Sequence, residues 1–148
     1  CEKIIANLKA GYPQLSLWQE VVKRQAKVRR YSETWLGRRR YLPGIVSDDW
    51  GKKSFAERCA MNTPIQGTAA DILKMAMARL VVELPEYPWI VPVLTVHDSL
   101  VFYVAEEKVQ EAGVLIKGLM ERQPFPEFDV PLVAEVATGT NYGELDEW

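Results

Sequence analysis

The sequence predicts an α+β fold: a mainly helical first part carrying a small β-hairpin, followed by an antiparallel sheet packed with helices on one face. Three observations lead there. Apolar residues recur at helical spacing in long stretches, and the period drops to two in the segments between them. From about residue 59 the patterns run helix, strand, strand, helix, strand. With 148 residues, 48% of them hydrophobic, the chain can bury a core of one domain, or one domain plus an appendage.

The elements follow in order. Tyr12-Pro13 opens a long helix with Leu15, Trp18, Val21, Val22 and Gln25 on one face and Gln19, Lys23, Lys27 and Arg30 on the other. Tyr31 to Leu36, Gly37, and Arg38 to Leu42 read as a hairpin closed by Pro43-Gly44. Alternation along its second arm sends Arg38 and Arg40 one way and Arg39 the other. After the polar loop Ser47–Gly51, the capping box Ser54-Phe55-Ala56-Glu57 predicts a helix start. Pro64 predicts a break near Thr63 and a fresh helix from Pro64 to about Leu84, since Thr63-Pro64-Ile65-Gln66 is itself a capping box. Gly67 fits either the close approach of something large or tight helix-to-sheet packing. Ile90 to Val96 and Leu100 to Val104 read as two strands, Glu106 to Arg122 as an amphipathic helix stopped by Pro124-Phe125-Pro126, and Leu132 to Val136 as a last strand before a turn-rich tail.

Composition bounds the function classes. No run of about 18 apolar residues exists and Cys1-Glu2-Lys3 is not the start of a signal peptide, so a chain that is neither membrane-spanning nor secreted is expected. Cys1 and Cys59 form no disulfide framework and no zinc-ligand spacing, which points to a reducing compartment. Net charge is −2 but unevenly divided: residues 1–58 hold 13 Lys and Arg against 6 Asp and Glu, whereas residues 59–148 hold 5 against 14. A basic part joined to an acidic part suits a polyanion on one and cations at the other, or equally an oppositely charged surface with no partner.

The chain's only histidine and an acid, His97-Asp98, interrupt the apolar runs at a predicted hairpin tip. A carboxylate there is rigidly held yet open to solvent; Asp is also simply a favoured turn residue.

Three segments in this order resemble the C-terminal part of family A DNA polymerases, the DNA polymerase I type: Thr34-Trp35-Leu36-Gly37-Arg38-Arg39-Arg40-Tyr41-Leu42-Pro43, then Glu57-Arg58 through Asn62-Thr63-Pro64-Ile65-Gln66-Gly67-Thr68-Ala69-Ala70-Asp71, and Val96-His97-Asp98. The likeness extends to Gly11-Tyr12-Pro13 and to Val130–Val136. It implies that residues 1–58 are the C-terminal part of a fingers subdomain and residues 59–148 the C-terminal part of a palm. It implies template-directed nucleotidyl transfer with Asp98 as catalytic ligand for two Mg2+ ions, which such sites hold about 3.5–4 Å apart. The ions are shared with an aspartate upstream of this chain. Arg58, Asn62 and Gln66 match positions that contact the primer-template duplex from its minor groove, and His97 one near the primer terminus.

Such donors test pairing geometry without reading sequence, because every base pair offers an N3 or O2 acceptor there. Asn62 and Gln66 could instead cap helix ends. Arg38, Arg39 and Arg40 either hold backbone phosphate or are merely solvated. Ser99 stands where the family usually has glutamate, leaving a hydroxyl as a secondary ligand at best. The implied partners are primer-template DNA, deoxynucleoside triphosphates and an N-terminal portion of the polymerase, without which the chain should be inactive. The implied location is the cytoplasm, at the nucleoid, or the host cytoplasm for a viral protein. The leading cysteine fits an engineered or processed product, or the nucleophile that protein-splicing elements require immediately downstream. Two competing readings stand beside the polymerase one: a non-catalytic duplex-binding module, and an unrelated α+β interaction domain.

Overall fold

The computed structural model describes residues 2–147. Cys1, with the splicing expectation attached to it, lies outside them. The chain falls into two compact units, one through Asp71 and the other from Ile72.

The first unit opens with helix α1 (Glu2–Gly11), which the sequence reading did not anticipate although Ile4, Ile5 and Leu8 are spaced for it. Helix α2 (Pro13–Arg29) has proline in its first turn, where the missing N–H is no loss. It ends on Arg30 in the left-handed region (φ +64°), whose amide reaches the Ala26 carbonyl at 2.8 Å. That reversal launches strand β1 (Tyr31–Glu33), which pairs antiparallel with β2 (Arg39–Tyr41) as expected, Ser32 facing Arg40 and Glu33 facing Arg39. A 3-10 turn (Pro43–Val46) leads to helix α3 (Trp50–Asn62). The core here joins Ala26, Leu42, Ile45, Ala56, Cys59 and Ala60, small residues for the most part, which let helices approach closely.

Two expectations for this region are corrected. Helix α3 starts at Trp50, because Asp49 accepts the Lys52 amide at 2.8 Å and caps it five residues before Ser54. The Ser54 hydroxyl accepts from Arg58 instead, at 3.0 Å. Nor does the chain break at Thr63: it runs through a π-helical turn (Thr63–Gly67) directly into α4 (Thr68–Glu83). Proline removes the N–H that would serve the Ala60 carbonyl four residues back. The buried Ser32 hydroxyl donates to that carbonyl at 2.8 Å, and the wider π turn absorbs the ring.

In the second unit, β3 (Ile90–Val96) and β4 (Ser99–Val104) form an antiparallel hairpin. Leu100, Phe102 and Val104 from its inner face pack with Leu80, Leu84, Ile90 and Ala112. Helix α5 (Val109–Glu121) supplies Leu115, Ile116 and Leu119 to the same core. The Arg79 guanidinium caps its C-terminal end, donating to the carbonyls of Arg122 at 2.7 Å and Gln123 at 2.9 Å.

The last strand is misplaced in the sequence reading. Residues 132–136 alternate half-buried and exposed as a strand would, but the Ala134 amide bonds to the Glu121 carboxylate at 2.8 Å and the Ala134 carbonyl accepts from Lys117. With helix side chains taking the ladder groups, pairing begins further on, between β5 (Ala137–Asn141) and β6 (Glu144–Glu147). The fold is α+β, and its antiparallel pairing takes the form of three two-stranded hairpins among the described residues. No helix among them is long and apolar enough to cross a membrane.

Candidate functional site

In the first unit, Thr34, Arg38, Arg39, Arg40, Asn62, Thr63, Gln66 and Gly67 line a cleft of about 110 Å³. The π turn puts Asn62 and Gln66 at its edge, both exposed. Asn62 makes no capping bond, so that alternative does not describe it. The turn is braced by threonines: Thr63 Oγ1 donates to the Cys59 carbonyl at 2.7 Å, and Thr68 Oγ1 donates to the Pro64 carbonyl while accepting the Trp35 amide at 2.9 Å. A Cβ on Gly67 would lie 2.6 Å from Thr34 Cγ2, closer than real carbon contacts come. Close packing of the hairpin loop is therefore the reason for this glycine.

The three arginines, treated alike from sequence, part company. Arg38 Nε donates to Asp71 Oδ1 at 2.8 Å and its Nη2 to the Gly67 carbonyl at 3.0 Å, so it is tied into the chain although half of its side chain stays exposed. Arg39 lies 4.6 Å from the centre of the Tyr31 ring and 3.5 Å from Glu33 Oε2. Arg40 is exposed and its side chain has no ion-pair or hydrogen-bond partner among the described residues. Arg58, one turn before Asn62, is exposed, holds Ser54 and stands 6.0 Å over Phe55; it does not line the cleft. The residue that sequence reasoning missed is Asp71. Its signal was an acid on the inward side of an otherwise apolar helix, and such an acid requires a cation from elsewhere.

In the second unit, β3 and β4 are joined by only two residues, His97 and Asp98, with Val96 facing Ser99. His97 takes φ +55°, a left-handed conformation that costs a non-glycine residue about 1–2 kcal/mol. Asp98 and Ser99 are exposed. Asp98 has no hydrogen-bond or ion-pair partner among the described residues, so this carboxylate is held in place and left open. Nowhere among them do three or more His, Cys, Asp or Glu residues gather as a metal site would need. The donors at the tip fit one ligand position for a hard cation and not a complete set.

The family model of DNA polymerase family A matches residues 1–144. The chain belongs to DNA polymerase family A. Among curated members of the family, it is 38% identical over 151 residues to the thermostable DNA polymerase I of Thermus filiformis, covering 99% of this chain and 17% of that protein. It is 41% identical to DNA polymerase I of Pseudomonas aeruginosa, covering 91% of this chain and 15% of that one. A solved family structure, the POL domain of Pol1 from M. smegmatis in complex with DNA primer-template and dNTP, superposes with a TM-score of 0.78 at 35% identity. That match covers 88% of this chain and 24% of the other. The chain thus spans about a sixth of the length of the curated family A polymerases named here.

Proposed function

We propose that this chain supplies one metal-binding carboxylate and a set of duplex-holding donors to a DNA-directed DNA polymerase, and that nucleotidyl transfer needs the remainder of a family A polymerase. The observation that carries the reading is Asp98: an exposed acid, unpartnered among the described residues, on a two-residue hairpin turn, in a chain matched to the family over residues 1–144. Asp98, with the Ser99 hydroxyl as a weak second oxygen, would hold Mg2+ together with an aspartate from outside this chain. The bound cations would activate the primer 3′ hydroxyl and steady the triphosphate.

The chain's own residues bind and orient. Arg58, Asn62 and Gln66 would donate to minor-groove acceptors of the primer-template duplex, and His97 would stand near the primer terminus. Of the hairpin arginines, Arg40 is the best placed to meet phosphate, since its guanidinium is uncommitted among the described residues. The structure of the M. smegmatis relative with primer-template and dNTP supports these partners. We assign residues 1–58 to fingers and 59–148 to palm, acting in the cytoplasm on DNA.

Complementation tests the reading. The chain is mixed with the remaining portion of a family A polymerase, and magnesium-dependent incorporation of deoxynucleotides is measured. Incorporation only in the mixture is expected. Duplex binding without incorporation favours the non-catalytic module, for which the single carboxylate and Ser99 are the motive. Absence of salt-sensitive duplex binding ends both.

A further inference from the structure

We propose that Asp71 is a positioning residue, acting through Arg38 to hold Gln66 and Asn62 at the cleft; this rests on the duplex-binding reading above. The geometry is a latch. Arg38 reaches from the β1–β2 loop to two points on the turn that follows Gln66: the Gly67 carbonyl at 3.0 Å and, one turn on, Asp71 Oδ1 at 2.8 Å. The loop is drawn in until only glycine fits at 67, and the Trp35 amide is tied to Thr68. The π turn departs from the α-helical ladder because Pro64 has no N–H to donate. An external brace there decides where Asn62 and Gln66 are presented.

Asp71 depends on the latch in turn. Its side chain is nine-tenths buried, and Oδ2 has no hydrogen-bond partner among the described residues, so the Arg38 guanidinium is what compensates its charge. Two of the five donors of Arg38 are committed within the chain, and its charge is neutralised where it sits. In this proposal its part is that of a brace.

Simple electrostatics and the latch predict opposite signs for Asp71. Removing a carboxylate near a polyanion site should tighten binding, whereas loosening the brace should weaken it. The experiment measures affinity of the full chain for a labelled primer-template duplex across a salt series, with melting temperature alongside. Asp71→Asn and Arg38→Ala are each expected to weaken binding roughly 5- to 30-fold, with no further loss in the double variant. The slope of affinity against salt should stay that of the wild type, and Gln66→Ala should lose most of its effect in the Asp71→Asn background. Where Arg38→Ala does not fold, Arg38→Lys, which can keep the ion pair but not both bonds, carries the same test.

Several results would overturn the proposal. One is tighter or unchanged binding by Asp71→Asn. Another is a slope reduced by about 1 in Arg38→Ala, which marks a phosphate contact. A third is a full Gln66→Ala effect in the Asp71→Asn background, or lowered melting with unaltered affinity. A wild-type chain that binds no duplex removes the underlying reading, and this one falls with it.

Discussion

Behind the cleft a set of polar groups is answered inside the chain: Arg38 by Asp71 and Gly67, Thr63 by Cys59, Thr68 by Pro64 and Trp35, Ser32 by Ala60. At the tip of the β3–β4 hairpin nothing among the described residues answers Asp98, and His97 is held in a backbone conformation unfavourable to its side chain. Interior bonds make a region hard to alter without unfolding. An unanswered, strained turn adds little to the fold and is free to meet a ligand. The difference separates residues that shape the molecule from residues that serve something outside it.

The largest effect that would break this contrast is on rate. In the complemented polymerase, Asp98→Ala should lower nucleotide incorporation on the order of 10³-fold, several kcal/mol of transition-state stabilisation, while the melting temperature of the chain stays put. Near-normal incorporation would mean the open carboxylate serves no metal. The cleft should behave the other way in a denaturation experiment. Gly67→Ala drives a Cβ to within 2.6 Å of Thr34 Cγ2 and should destabilise by about 1–3 kcal/mol. Thr34→Ser, which deletes that methyl and keeps the hydroxyl, should restore most of the loss. His97→Gly relieves a positive φ and should leave stability unchanged or raise it by less than about 1 kcal/mol. If Gly67→Ala were as harmless as His97→Gly, the packing account of the cleft would be wrong.

Next in size is Ser32→Ala, which takes the Ser32 donor from the Ala60 carbonyl, a residue fully buried and already deprived of the i+4 amide by Pro64. A loss of about 1–3 kcal/mol in chemical denaturation is expected. The same bond explains what the sequence could and could not tell. Helix α2, both arms of the β3–β4 hairpin and α5 were legible because period and punctuation are local: Pro13, the His97-Asp98 interruption, and Pro124 after the last apolar turn. Continuity through Pro64 was not, since its remedy, Ser32, lies 28 residues away from the carbonyl it serves. Asp71 was missed for the same reason, its partner Arg38 being 33 residues distant. At Asp98 the residue pattern marked both the position and its openness to solvent, and the structure adds that no group among the described residues pairs with it.

The smallest effect concerns residues 132–136, which behave as a strand in pattern and as a helix annex in bonding. Lys117 beside Glu121, and the Ala134 amide pointing at it, hold the Glu121 carboxyl below its ordinary value of 4.5. A lowered folded-state value means that the stabilisation is present above the unfolded value and is lost as pH falls through the folded one. The carboxylate lies at the surface, so global unfolding should barely respond. What should respond is the local bond: hydrogen-exchange protection of the Ala134 amide should be constant above about pH 5 and decline as the medium is acidified below 4.5. In Glu121→Gln the side-chain oxygen can still accept but no longer titrates, so protection should be lower throughout and flat across the same range. A decline that persisted in that variant would assign the effect to another acid and leave the segment's failure to pair as a strand without its present explanation.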